Sequence, residues 1–196
     1  LIVPPAAPFP EELWNQKLCG IVWCYTGPLE EAEATFAPIR AQFGPPLLDW
    51  VGPLSHPALQ SMFDGIMPPG MQWYWKANFV NELSDEAIAR HLEHGPEMPT
   101  WRSTMHLYPI DGAAGRVAKD ATAWNYRDAK WAMVIVGVSP DAADNERMIA
   151  WARDYWSATH PYNMPGAYVN FMIDDEADGR LQATYGIGVD WPNRCA

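Results

Sequence analysis

Apolar and polar positions along the chain alternate in two distinct rhythms. Gln72–Val80, Ser103–Tyr108 and Lys130–Val138 are rich in aromatic and β-branched residues with a period near two, which predicts strands. Leu18–Tyr25 and Ala167–Ile173 read the same way, and Leu47–Val51, Ala114–Lys119 and Ala121–Tyr126 predict shorter strands. Helical spacing predicts a helix over Leu29–Phe43, with Glu30, Glu31 and Glu33 at its start and Arg40 near its end, a charge order that suits the helix dipole. Pro57–Phe63 predicts a short helix, and Ser84 reads as the N-cap of another that runs to about His94. Ser139-Pro140-Asp141 opens a long helix to about Thr159, whose apolar face is Met148, Ile149, Ala152, Tyr155 and Trp156. A last helix is predicted over Glu176–Tyr185.

The predicted strands cluster in the middle of the chain, with helices between hairpins and no regular βαβα alternation. The fold class is therefore α+β, an antiparallel sheet with helices packed on one face. The period of two has a further consequence in Gln72–Val80: Tyr74 and Lys76 share one face, and Trp73 and Trp75 share the other. One face belongs to the core, so a Tyr and a Lys together on the opposite face form either the wall of a polar aromatic pocket or an exposed sheet face. By the same logic Tyr168 and Asn170 share a face, while Val169 and Phe171 pack inward.

Composition narrows the function classes. With 48% hydrophobic residues, a chain of 196 residues can bury a real core and is not a disordered segment. A formal net charge of −11 opposes binding to nucleic acid or to an anionic membrane surface. The longest apolar runs, such as Trp131–Val138, are too short to span a bilayer. Cys19 and Cys24 lie in a predicted strand at a spacing that puts them on opposite sides, and no Cys or His spacing fits a metal site. That usage points to a reducing, cytoplasmic setting. His91 and His94 are expected on a solvated helix face, and Asp174-Asp175-Glu176 as a solvated helix start. The chain has no P-loop, GxGxxG, GxSxG or HExxH.

Several ordered segments resemble one family. Gly27-Pro28-Leu29-Glu30-Glu31-Ala32-Glu33 with Ala37-Pro38-Ile39-Arg40, then Gly44-Pro45-Pro46, Leu59-Gln60 and Phe63-Asp64, come first. Tyr74-Trp75-Lys76-Ala77-Asn78-Phe79, Thr122-Ala123-Trp124-Asn125-Tyr126-Arg127-Asp128, and Ala167-Tyr168-Val169-Asn170-Phe171 with Asp175-Glu176 and Tyr185-Gly186 follow. From about Pro8 to Gly186 the series resembles the C-terminal half of FAD-linked oxidases of the berberine-bridge-enzyme-like group, in the vanillyl-alcohol-oxidase superfamily. The stretch at 122–128 departs from the group at Tyr126, where a His is usual.

The resemblance implies a single substrate-binding domain, 1–196, of a larger FAD-linked oxidoreductase, with the N-terminal FAD-binding domain absent. It implies oxidation of a small alcohol, amine or sugar by hydride transfer to flavin. Tyr168 and Asn170 become the expected catalytic residues, and Tyr74, Lys76, Tyr126 and Arg127 the substrate- or flavin-facing ones; no metal is expected. A phenol needs a cationic neighbour to act as a base at neutral pH, and Lys76 and Arg127 are the candidates beside Tyr168. The resemblance also implies that FAD belongs to the complete enzyme. The chain ends early relative to the pattern, at Asp190–Ala196. It is therefore expected not to hold the cofactor alone and to be inactive in isolation. Expected partners are a small-molecule substrate and either the missing FAD domain or a second copy. The alternative is a stand-alone α+β binding or dimerisation module without flavin or catalytic activity.

Overall fold

The computed structural model describes residues 1–185 apart from Asp120, Ala123 and Ala177. The described chain divides into two units, Cys19–Pro68 and a larger one made of Leu1–Leu18 with the residues from Pro69 onward.

The smaller unit is built on α1 (Ala32–Phe43) and α2 (His56–Gln60). Phe36 of α1 is buried, and the rings of Trp23 and Tyr25 meet it edge-on at 6.2 and 6.4 Å. Arg40 pairs with Glu33 at 2.9 Å and Asp49 at 2.6 Å. Gly44 ends α1 at φ +75°, a left-handed backbone that glycine adopts without penalty. The strands expected at Leu18–Tyr25 and Leu47–Val51 do not form: Leu18 exchanges backbone hydrogen bonds with Leu1 at 2.8 and 3.0 Å, but among the described residues no ladder continues beyond it. Cys19 and Cys24 are both exposed free thiols outside any strand.

In the larger unit three strands make the sheet: β1 (Gln72–Val80), β2 (Thr104–Pro109) and β3 (Trp131–Ser139), in the order β1-β3-β2, all antiparallel. Register pairs Lys76 with Ile135, Phe79 with Ala132 and Met105 with Ile135. This places Tyr74, Lys76, Asn78, Val80, Met133, Ile135, Met105 and Leu107 on one face. Two helices cover it: α4 (Asn145–Thr159) packs on the sheet, and α3 (Asp85–His94) packs on α4. Ser84 caps α3 by accepting Ala87 N–H, as its sequence predicts. Met148, Ala152 and Tyr155 of α4 are fully buried, each large side chain stabilising by about 1.5–3 kcal/mol. Helix and sheet come so close at Gly137 that a Cβ there would lie 2.8 Å from Met148 Cβ.

The second face carries Trp75, Ala77, Phe79, Ala132, Val134 and Val136. Loops cover it in part. Residues 124–126 and 164–172 fold over, and α5 (Asp178–Tyr185) closes behind them, with Thr184 Oγ1 accepting Ala167 N–H at 3.2 Å. The strand expected at Ala167–Ile173 is instead a 3-10 turn at Val169–Phe171, in which Tyr168 C=O accepts Phe171 N–H at 2.8 Å. The segment pairs with β1 just before this: Met164 N–H reaches Phe79 C=O, and Gly166 C=O accepts Phe79 N–H, both at 2.9 Å. It then turns so that Phe171 packs back against the sheet. Ala114–Lys119 and the described part of Ala121–Tyr126 are turns and loop rather than strands. Arg127 bonding Ala114 C=O at 3.0 Å and Thr122 Oγ1 bonding Trp124 N–H at 3.2 Å satisfy groups that a ladder would have used. Among the described residues, no helix is long and apolar enough to cross a membrane.

Candidate functional site

Tyr168 and Asn170 come together on the second face. Asn170 Nδ2 donates to the Tyr168 phenolic oxygen at 2.7 Å. The 3-10 turn, rather than strand alternation, brings the two side chains to one side. The Tyr168 ring is set by Trp124 at 5.1 Å and Phe171 at 5.2 Å, and it packs beside Phe79 and Ala132. A cavity of about 230 Å³ opens beside it, lined by Phe79, Trp124, Tyr126, Tyr168, Val169 and Tyr185. Tyr126 is part of this wall: its ring stacks on Phe79 at 4.6 Å, and its hydroxyl donates to Ala183 C=O at 2.5 Å. Gly166 permits that stack, because a Cβ there would fall 2.3 Å from the Tyr126 oxygen.

A second pair lies on the same face. Period two in β2 puts His106 and Tyr108 side by side, and His106 Nδ1 is hydrogen-bonded to the Tyr108 hydroxyl. The Tyr108 ring stands 5.8 Å from Phe171, which in turn touches Tyr168. Burial holds the His106 imidazole below its ordinary value and pushes the Tyr108 phenol above its own. Both shifts favour the neutral pair, imidazole and phenol, and oppose transfer of the Tyr108 proton to His106. The alternation of β2 is the sequence signal that joins His106 to Tyr108.

The remaining candidates lie elsewhere. Tyr74 and Lys76 are on the α4 face, across the sheet from Tyr168. Lys76 Nζ meets Asp175 at 2.5 Å and Glu176 at 3.2 Å. The Tyr74 hydroxyl donates to Asp175 at 2.6 Å and accepts from Arg153 at 2.8 Å. Glu176 also holds Arg180 at 2.6 Å, and Arg180 reaches Ala77 C=O and lies over the Trp156 ring. Desolvation works against the charged form of the Asp175 carboxyl, yet Arg153, Lys76 and Tyr74 together hold it far below the usual carboxylate range. Burial first, and then the bond to Asp175, push the Tyr74 phenol up to about 12. Asp175 and Glu176 are therefore not the solvated helix start expected from the sequence: side-chain exposure of Glu176 is 3%. Lys76, facing away, is not the cation beside Tyr168. Arg127 donates from Nη1 to Ala114 C=O and from Nη2 to Thr122 Oγ1, while its buried Nε has no hydrogen-bond partner among the described residues.

His91 and His94 are not on a solvated face either. His91 Nδ1 lies 2.8 Å from the Tyr155 hydroxyl, and the His94 ring stacks on Tyr155 at 5.9 Å. Among the described residues, no group of three or more His, Cys, Asp or Glu is placed to hold a metal ion.

No protein-family model matches the chain. An FAD-linked oxidoreductase of Dictyostelium discoideum is 23% identical over 164 residues, 83% of this chain and 35% of that protein. The chain thus spans about a third of the length of the curated relative it matches. Aclacinomycin oxidoreductase shares the fold with a TM-score of 0.65 at 18% identity, over 85% of this chain and 38% of that one. A BBE-like protein of Arabidopsis thaliana gives 0.62 at 19% identity, over 78% and 36%. A variant of berberine bridge enzyme gives 0.62 at 17%, over 86% and 35%. The resemblance read from the ordered motifs stands: this chain is related in sequence to an FAD-linked oxidoreductase and has a fold found in berberine-bridge-enzyme-like flavoenzymes.

Proposed function

We propose that the chain is the substrate-side domain of an FAD-dependent oxidoreductase that oxidises a small organic substrate of alcohol, amine or sugar type. The observation that carries this reading is the Asn170–Tyr168 pair on the second face of the antiparallel sheet, in a chain similar over 83% of its length to an FAD-linked oxidoreductase.

The residues present fit a flat cofactor. Tyr108 and Val169 are each more than two-fifths exposed near Phe171 and Tyr168 on this face, so aromatic and apolar surface is available to a planar ring. Tyr108, Tyr168 and Asn170 would lie against it. FAD supplies the hydride acceptor. The sequence carries no glycine-rich phosphate loop, so the grip on the diphosphate falls to residues beyond these 196.

This chain's own residues handle the proton. Loss of hydride from a carbon bearing O–H or N–H requires that proton to leave, and Tyr168 would take it as a phenolate and become the phenol, its oxygen held in place by the Asn170 amide. Tyr108, hydrogen-bonded to His106 Nδ1 and beside Phe171, adds a neutral polar group on this face. Trp124 and Phe171 flank the Tyr168 ring and hold its orientation.

FAD titration of the complete gene product tests the reading. Flavin bands that shift on binding, in a protein whose reading frame includes an FAD-binding region, are the expected result. A complete product that leaves added FAD unperturbed contradicts it.

A further inference from the structure

The sheet is covered at one edge and open at the other. Beyond β1, Met164 N–H and Gly166 C=O bond the carbonyl and amide of Phe79. Those bonds fix the alternation of the ladders. Phe79 points away from β3, so its partner Ala132 turns its N–H and C=O toward β2, and Val134 and Val136 do the same. Their partners Tyr108, His106 and Thr104 are therefore the residues of β2 that bond β3. Met105 and Leu107 direct their N–H and C=O to the outer edge, where no hydrogen bond meets them among the described residues.

β2 lacks the usual protection of an open edge. Thr104-Met105-His106-Leu107-Tyr108-Pro109 has no charged side chain, and Pro109 stands at the last position, past both outward N–H groups. Natural sheets blunt open edges with Lys, inward charges, bulges or Pro, because unpaired N–H and C=O recruit another strand. A second copy of the chain suits this edge poorly. Pairing of two 6-residue edges is too small to reach the roughly 1,200 Å² of a stable interface. Each copy also carries a net charge of −11, which opposes self-association. A covalently connected strand meets neither obstacle, since tethering supplies an effective concentration in the mM range. The match to the curated relative takes up only 35% of that protein, so a product of that size has chain to supply one.

We propose that, in the larger flavoenzyme inferred above and resting on that reading, the sheet continues past β2. The added strand comes in cis from a segment of the complete gene product outside residues 1–196 and bonds Met105 and Leu107. Its residue opposite His106 points to the same face as His106 and Tyr108, with Cβ atoms about 5 Å apart. That residue stands beside the Tyr108 ring, which lies 5.8 Å from Phe171. A substrate on this face is then bounded by Trp124 on the β1 side and by the added strand on the β2 side.

Amide hydrogen exchange of the complete gene product, read residue by residue over Thr104–Pro109, tests this. Met105 and Leu107 are expected to exchange at least about 100-fold more slowly than unstructured amides, as His106 and Tyr108 do through β3. Unprotected Met105 and Leu107 beside protected His106 and Tyr108 overturn the proposal. So does protection lost on dilution together with a dimer in sedimentation, which assigns the edge to a second copy. Leu107→Pro removes one outward N–H and is expected to lower Tm by about 5 °C or more beyond Leu107→Ala. Equal Tm in the two variants overturns the proposal, since an edge whose N–H faces water tolerates Pro. If Leu107→Pro fails to fold, the wild-type exchange decides. Flavin absorbance separates the two readings. A product that takes up no FAD yet protects both amides contradicts the flavin reading alone, and a flavin-loaded product with both amides unprotected contradicts the added strand alone.

Discussion

Asn170 donates its side-chain amide to the Tyr168 phenolic oxygen at 2.7 Å, across a 3-10 turn that replaces the strand expected there. The bond fixes where that oxygen stands. Asn170→Ala in the complete flavoenzyme is expected to lower kcat by about tenfold, the scale of one lost positioning hydrogen bond. KM should change little. Steady-state kinetics checks this, together with a visible spectrum showing that flavin content is intact.

Lys76 is the buried centre of the ion cluster on the α4 face. Lys76→Met leaves the Glu176 carboxylate, 3% exposed, with Arg180 as its one remaining cation among the described residues. The expected cost is about 2–4 kcal/mol, the scale of breaking a shielded pair from one side. Because the cluster faces away from Tyr168, catalysis in molecules that remain folded should be preserved. Denaturant unfolding, with kcat per folded molecule, checks both halves.

Stability should fall on both sides of neutrality, for different groups. Burial holds His91 and His106 below their ordinary value, and burial with Arg180 does so for His160. The unfolded chain therefore binds protons first, and stability declines as pH drops below about 6.5. The depressed Asp175 carboxyl adds to this below about pH 4, where the unfolded carboxyl takes a proton that the folded one refuses. On the alkaline side the sign reverses in cause. The Tyr74 phenol keeps its proton to about pH 12 in the fold, so its contribution is complete below about 10 and is lost as pH rises through 12. Unfolding free energy measured against pH, with Tyr74→Phe as the comparison for the alkaline limb, checks these windows.

Gly137→Ala is expected to destabilise by about 1–3 kcal/mol, since its new Cβ meets Met148 Cβ at 2.8 Å where helix and sheet are in contact. Truncating the obstructing side chain cannot fully cure a clash at Cβ, so Gly137→Ala with Met148→Gly should recover more than Gly137→Ala with Met148→Ala, relative to each Met148 variant alone. Thermal unfolding of the set checks the order.

The sequence made the central architecture legible. Gln72–Val80 forms a strand over the residues its alternation marked, and Ser84 starts α3 where its cap predicts. These elements carry their own signal, in period and capping chemistry. Leu18–Tyr25 has strand composition but pairs only at Leu18, and Ala167–Ile173 leaves the β1 edge that Met164 and Gly166 bond and turns at Val169–Phe171; composition reports neither the edge nor the turn. The site divides the same way. Tyr168 and Asn170 were marked by position in an ordered series, and the geometry joins them. Alternation puts Tyr74 and Lys76 on one face, but it does not say which face a helix covers. The closing Gly186 and the tail Asp190–Ala196 lie outside the described residues.

The most direct test of the central claim is anaerobic reduction of the complete gene product, scanned with alcohols, amines and sugars, for wild type and Tyr168→Phe. The account predicts a yellow protein whose flavin bands bleach on mixing with at least one such substrate. It predicts that Tyr168→Phe keeps the bands but bleaches about 100-fold more slowly. A colourless protein that takes up no FAD, or a Tyr168→Phe variant that bleaches at the wild-type rate, would contradict it.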